Sequence, residues 1–295
     1  MQANKTVYIV DDDTDDRMLI REALENEIKD IEIIEIHDGQ LLLEALPQDQ
    51  ADQPALILMD MNMPRVSGLE ALEQIKSNPF YRHIPVMMVS TTSNQDLIKH
   101  CYNQGANAFI IKPVNYSGYL QIAQAVNVCF LNNYRGIDEQ VISKNFRNKS
   151  ILVVEDNNDH WEMIEMALKR ALPDIALIHK SDQSSTLDFL ANEYASVKPP
   201  IEMILLDLYL PARHDGLGLL ADIRNFMTTQ NLPAVPVIVL SYSNHPKDRT
   251  ASYAGQASAY LLKSADPAKS FSKLRDVCSF WWDTIALPQP LHKGL

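Results

Sequence analysis

Short apolar runs alternate with longer amphipathic stretches along the whole chain. In the first half the runs are Val7–Val10, Ile31–Ile36, Leu56–Met59, Val86–Val89 and Ala108–Ile111; in the second they are Ile151–Val154, Ile175–Ile178, Met203–Leu206, Val237–Leu240 and Ala259–Leu262. Runs of this length separated by helix-period stretches predict βα units, right-handed crossovers and a parallel sheet covered on both faces. The two sets are copies of one plan: Asp60 and Asp207 are 147 positions apart, and Ser90 and Ser241, like Lys112 and Lys263, are 151 apart. A repeat of that period predicts two α/β domains. "RGIDEQVISKNFRNKS" (Arg135 to Ser150) lacks periodicity and reads as a linker. The expected boundaries are 1–134 for the first domain, 135–149 for the linker and 150–295 for the second domain with an aromatic C-terminal tail.

Composition narrows the classes. The chain has 295 residues, 46% hydrophobic and 22% charged, enough for about two ordinary domain cores. Its net charge of −12 argues against nucleic acid or an anionic membrane as a partner. No apolar run reaches the ~18 residues of a membrane span, and "MQANKTVYIVDDD" has no signal-peptide apolar region, so a cytoplasmic location is expected. Cys101, Cys129 and Cys278 are widely spaced and read as reduced core residues.

Polar residues punctuate the strand ends. The first strand of copy one ends at "VDDD" (Val10 to Asp13), the third at Asp60, the fourth at Ser90 and the fifth at Lys112. Copy two has Glu155 and Asp156, then Asp207, Ser241 and Lys263 at the same places. A single Asp after a strand is usually a loop residue or a helix cap. Repetition of the whole set argues for one crevice at the carboxyl ends of a parallel sheet. Carboxylates gathered there repel one another unless a cation intervenes, and an all-oxygen set suits Mg²⁺. Asp60 can then attack a phosphoryl group while Lys112 and Ser90 hold its oxygens, giving an aspartyl phosphate.

The ordered set, present twice, resembles the receiver domains of two-component response regulators in tandem, over about Thr6 to Ser279. That resemblance implies two flavodoxin-like, doubly wound (βα)5 domains with sheets in 2-1-3-4-5 order. Asp11 and Asp12 match the acidic pair, Asp60 the phosphoacceptor, Asn62 the metal-ligating backbone carbonyl, Ser90 the switch hydroxyl, Phe109 the switch aromatic and Lys112 the lysine, followed by Pro113. In copy two the corresponding residues are Glu155 and Asp156, Asp207, Tyr209, Ser241, Tyr260 and Lys263. The resemblance further implies Mg²⁺ as cofactor, a histidine kinase or phosphotransfer protein as donor, and a switch in which the serine moves and the aromatic ring turns inward. "VVEDNNDHWEMIEMALKR" and "VCSFWWDTIALP" are similar to regulators paired with phytochromes. Two departures fall in copy two: Ser264 stands where the family usually has a proline after the lysine, and "PARHDG" is one residue longer than usual. Copy two is therefore expected either to be fully active or to have shifted towards docking.

No other output segment is recognisable, so signalling through protein–protein contact is expected, with homodimerisation open. A scaffold in which one receiver is phosphorylated and the other only docks a partner is the alternative. An aspartate-nucleophile phosphohydrolase needs a second acid two positions after the nucleophile; Asn62 and Tyr209 stand there, so the chain is expected not to be an enzyme. Met59, Met61, Met63, Met87 and Met88 read as core filler. The histidines show no ligand spacing, and His160 is expected to be exposed or capping. Asp15 and Asp16 read as helix-start residues complementing the dipole. Phe271, Leu274, Cys278, Trp281 and Trp282 either cap their own domain or form a dimer or kinase contact.

Overall fold

The computed structural model describes residues 5–131, 148–264 and 266–288. These form two compact units: residues 1–133 with 280–295, and residues 134–279. The linker expected at 135–149 lies outside the described residues except for its last two positions.

The first unit runs β1 (Lys5–Val10), α1 (Thr14–Glu27), β2 (Ile31–Ile36), α2 (Gly39–Ala45), β3 (Leu56–Asp60), α3 (Gly68–Ser77), β4 (Val86–Ser90), α4 (Gln95–Asn103), β5 (Ala108–Ile111) and α5 (Tyr116–Ala125), which continues into a π-turn over Val126–Phe130. The five strands are parallel in the order β2-β1-β3-β4-β5. Central β3 (LILMD) and β4 (VMMVS) are buried at every position, whereas edge strand β2 (IEIIEI) carries two exposed glutamates, Glu32 and Glu35, on opposite faces. Asp13, Asp38, Ser67 and Asn94 cap the helices that follow, and Ser67 with Glu70 forms a full capping box. Each such cap contributes about 1 kcal/mol.

The second unit repeats the plan with β6 (Ser150–Val154), α6 (Asn158–Ala171), β7 (Ala176–Lys180), α7 (Gln183–Asn192), β8 (Ile201–Asp207), α8 (Arg213–Thr229), β9 (Val237–Ser241), α9 (Pro246–Ala254), β10 (Ala259–Leu262) and α10 (Pro267–Asp283). Its parallel order is β7-β6-β8-β9-β10, so both sheets have the expected 2-1-3-4-5 topology. The extra residue of "PARHDG" is taken up at the start of α8, which begins three residues ahead of Gly216, whereas α3 begins at Gly68 itself.

The methionines named above are buried, as are all three cysteines, which are free thiols. A repeated tie lies beneath each sheet. In the first unit Lys76 Nζ donates to the Ile84 carbonyl (2.7 Å) and to Asn107 Oδ1 (3.0 Å), which also accepts from the Val86 amide (2.9 Å). In the second, Arg224 reaches the Val235 and Gln256 carbonyls and Ser258 Oγ, which accepts from the Val237 amide at 3.2 Å.

The division between units falls within α10, after Ser279, so the chain end expected to belong to the second domain groups with the first. The reason is a free sheet edge: β5 is an outermost strand, and Ile285 forms an antiparallel bridge with Ile110 while the Ala286 amide donates to the Phe109 carbonyl at 2.8 Å. Leu274, Cys278 and Trp281 are buried, and the side chain of Phe271 lies outside the described set.

Candidate functional site

Parallel register sets the first site. Val10 lies beside Met59, Asp60 beside Val89 and Ser90 beside Ile111, so Asp11, Asp60, Ser90 and Lys112 all emerge at one carboxyl edge. The loop after Asp60 folds back on it: the Asn62 amide donates to Asp60 Oδ2 at 2.6 Å, and the Gly68 amide to the Met61 carbonyl at 3.0 Å. A Cβ on Gly68 would stand 1.9 Å from the Asp60 carbonyl oxygen, so glycine is required for this close approach.

Asp11 and Asp60 are buried and Asp12 is exposed. Lys112 Nζ stands 2.8 Å from Asp11, 2.9 Å from Asp60 and 2.7 Å from Asp16. Burial works against the Lys112 ammonium, but the hydrogen bonds it donates to Asp11, Asp16 and Asp60 outweigh it and hold its pKa above the ordinary lysine value. Burial pushes Asp11 up against the lowering effect of Lys112. Ser90 is fully buried, its hydroxyl accepting from the Thr92 amide at 3.4 Å. Tyr119 hydroxyl donates to Asp16 Oδ1 at 3.1 Å; burial and the Asp16 charge push the phenol up to about 12.

The second site has the same frame. Lys263 Nζ lies 2.7 Å from Glu155 and 3.0 Å from Asp207. Glu155 and Asp207 are buried, Asp156 is exposed, and Ser241 Oγ accepts from the Ser243 amide at 3.1 Å. Desolvation raises the Asp207 pKa, with Lys263 opposing and the Glu155 charge adding. His160, at the position matching Asp16, places Nδ1 3.0 Å from Glu155 Oε1. Its ring also lies 5.1 Å from that of Tyr242. Tyr209 is 38% exposed and its hydroxyl donates to Asp248 Oδ2 at 3.1 Å, so this ring is anchored rather than free to swing.

In each site three carboxylates, Asp11, Asp12 and Asp60 or Glu155, Asp156 and Asp207, offer oxygens that all lie within 4.8 Å of one another. An all-oxygen donor set of this compactness fits a hard divalent cation with room left for other ligands.

The response regulator receiver domain profile matches residues 7–124 and 151–275. The chain belongs to the response regulator receiver family. It carries two receivers, each with its own site. Rcp1, a response regulator of Synechocystis, is 30% identical over 131 residues, covering 43% of this chain and 89% of Rcp1. The polar-differentiation response regulator DivK of Brucella anthropi is 33% identical over 117 residues, covering 40% of this chain and 91% of DivK. Among solved structures, the phosphorylated cyanobacterial phytochrome response regulator RcpA is similar at 36% identity and a TM-score of 0.42, covering 45% of this chain and 98% of RcpA.

Each receiver thus gathers its acidic pair, the Asp at the end of its third strand, its serine and its lysine at one edge of the sheet. Phe109 and Tyr260, at the positions matched to the switch aromatic, are buried, 0% and 1% exposed. Phe109 belongs to the apolar core of its receiver, and the Tyr260 hydroxyl donates to the Ser243 carbonyl at 2.7 Å. Two site neighbours were read otherwise in the sequence. Asp16 does lie in the first turn of α1, but its carboxylate serves Lys112; His160 touches the acidic pair instead of merely facing solvent or capping. Both stand in the first turn of the helix that follows the acidic pair, at matching positions of the two copies.

Proposed function

We propose that each receiver takes a phosphoryl group from a histidine kinase or phosphotransfer protein, onto Asp60 in the first and Asp207 in the second. The observation that carries this reading is the duplicated pairing of a buried acceptor carboxylate with a lysine ammonium, 2.9 Å apart in one receiver and 3.0 Å in the other. A carboxylate oxygen attacks phosphorus, the P–N bond to the donor imidazole breaks, and the imidazole leaves with the electron pair. Lys112 and Lys263 are positioned to hold the oxygens of the arriving group by charge, and the Ser90 and Ser241 hydroxyls by hydrogen bonding. Asp11, Asp12, Asp60 and the Asn62 carbonyl would hold Mg²⁺ in the first receiver, and Glu155, Asp156, Asp207 and the Tyr209 carbonyl in the second. Bound there, the ion supplies charge neutralisation that lets an anionic phosphoryl group approach the acids.

The product signals by protein–protein contact, and the chain is not an enzyme beyond its own phosphorylation and dephosphorylation. In support, Asn62 and Tyr209 offer no second acid after the nucleophile, and a net charge of −12 opposes nucleic acid and anionic membrane partners. Among the described residues no helix is long and apolar enough to cross a membrane; a cytoplasmic location is part of the proposal. Incubation with acetyl phosphate and Mg²⁺ followed by intact-mass spectrometry tests it. Two base-labile phosphoryl additions are expected, one lost in Asp60→Ala and the other in Asp207→Ala. A single addition would leave the other receiver as a docking copy, and none would overturn the proposal.

A further inference from the structure

Around the second acceptor, one buried carboxylate joins segments that no carboxylate links in this way among the described residues of the first receiver. Asp248, in the first turn of α9, is 4% exposed. Its Oδ2 accepts from the Tyr209 hydroxyl at 3.1 Å and from the Ser243 hydroxyl, and its Oδ1 accepts from Arg213 Nε. Tyr209 and Arg213 come from the segment between β8 and the body of α8, and Ser243 from the loop after β9. Ser243 in turn passes its carbonyl to the hydroxyl of the switch residue Tyr260. Burial works against charge on Asp248, but hydrogen bonds from Ser243, Arg213 and Tyr209 outweigh it and hold its carboxyl below the usual range. At the matching position of the first receiver, seven beyond Ser90 as Asp248 is seven beyond Ser241, stands Leu97, which is 36% exposed and offers no carboxylate.

We propose that Asp248 is a positioning residue that latches the Tyr209 ring across the mouth of the Asp207 site and thereby slows loss of the phosphoryl group. This rests on Asp207 being a phosphoacceptor. In hydrolysis a water oxygen attacks phosphorus opposite the Asp207 oxygen, the P–O bond to Asp207 breaks, the carboxylate leaves with the electron pair, and the water's proton passes to solvent as inorganic phosphate forms. Water must therefore enter in line with that bond. Tyr209 follows the acceptor by two residues, and the tie from its hydroxyl to α9, on the neighbouring strand connection, restricts where its ring can lie. Charge-assisted bonds from a buried carboxylate are the strong kind, so the ring is held rather than resting in place. The same carboxylate reaches Tyr260 through Ser243, which links the mouth to the switch residue.

The test uses the full chain in an Asp60→Ala background, phosphorylated with acetyl phosphate and Mg²⁺ and followed by intact mass after the donor is removed. Asp248→Leu, which installs the residue of the first receiver, and Tyr209→Phe, which removes only the hydroxyl, are each expected to speed decay about tenfold, the low end of what a hydrogen bond to a charged group is worth. The double variant should decay no faster than the faster single one, because both break the same tie. Additive effects, or unchanged decay in Tyr209→Phe, would overturn the latch even if Asp248→Leu folds poorly. A second reading needs no phosphate: in the unphosphorylated protein, hydrogen exchange over residues 208–216 and 242–248 should quicken together in Asp248→Leu while β6 and β8 stay protected. Exchange that quickens in neither segment or only one would also overturn the latch, whereas failure of the chain to gain mass at all would count against Asp207 as acceptor and leave this measurement standing.

Discussion

Lys112 is claimed by three carboxylates, and two of them, Asp11 and Asp60, are also the groups proposed to hold Mg²⁺. Ammonium and metal ion therefore draw on the same oxygens, and Asp16, 2.7 Å from Lys112 Nζ, takes a share of the ammonium from outside the acidic cluster. Asp16→Asn keeps an oxygen for the Tyr119 hydroxyl but removes one negative charge. Lys112 then settles more fully on Asp11 and Asp60, and the field at the metal position weakens; both changes oppose the cation. A hydrogen bond to a charged group is worth roughly 1.5–3 kcal/mol. The Asp16 side chain is 25% exposed, so solvent screening reduces this to about 1 kcal/mol, or about fivefold in Mg²⁺ affinity. Calorimetric titration of Mg²⁺ reads the effect, in an Asp156→Asn, Asp207→Asn background that silences the second site. Asp16→His, which copies His160 of the second receiver, should weaken binding at least as much. Unchanged or tighter binding would refute the reasoning. So would a loss beyond about 100-fold, which would make Asp16 a metal ligand rather than a partner of the lysine.

Other outcomes follow from the two mouths and the acceptor environments. The phosphoryl group on Asp207 should outlast that on Asp60 when each decay is measured alone, in Asp60→Ala and Asp207→Ala backgrounds at fixed Mg²⁺, because the proposed Tyr209 latch cannot be made by the smaller Asn62; equal decay would refute it. Desolvation raises the folded pKa of Asp207 above its ordinary 3.8, so its contribution to stability is complete below that value and is lost as pH rises through the folded pKa. In Mg²⁺-free buffer Asp207→Asn should accordingly raise the melting temperature at neutral pH, with the gain vanishing as pH falls below 3.8; a gain that persists in acid would contradict the sign. Gly68→Ala, whose Cβ would press on the Asp60 carbonyl, should destabilise the first receiver by about 1–3 kcal/mol in denaturant titration, and an unshifted midpoint would show that the loop yields.

The strands were legible because burial on both faces leaves a plain apolar run: β3, and β8 from Met203 onward, carry Leu, Ile and Met up to their terminal acids. Even edge strand β7, which begins at Ala176 rather than Ile175, departs by only one residue at its start. Asp60, Lys112 and their copies were legible because parallel register converts a position at a strand's end into a position at a shared edge. Asp16 and His160 were not, since an acid or a histidine in a first helical turn already has a local explanation, and only the fold brings Lys112 across 96 positions to Asp16. Asp248 carried no signal either, two of its three partners being 35 and 39 positions away. The bridge from Ile285 to Ile110 depends on an unpaired strand edge, which appears only once the sheet is assembled.

The tie beneath each sheet bears on how the two halves can be recombined. In one copy a lysine meets an asparagine, Lys76 with Asn107; in the other a longer, forked arginine meets a shorter serine, Arg224 with Ser258. Each pair fills the same span with its length apportioned differently, so the partners have to travel together. A chimaera with its crossover in or before α3, or after β5, inherits a matched pair, whereas one joined at β4 sets arginine against asparagine or lysine against serine. The breakpoints open to gene fusion between the copies are therefore set by a contact far from either acceptor, and the two receivers are interchangeable as blocks but not residue by residue.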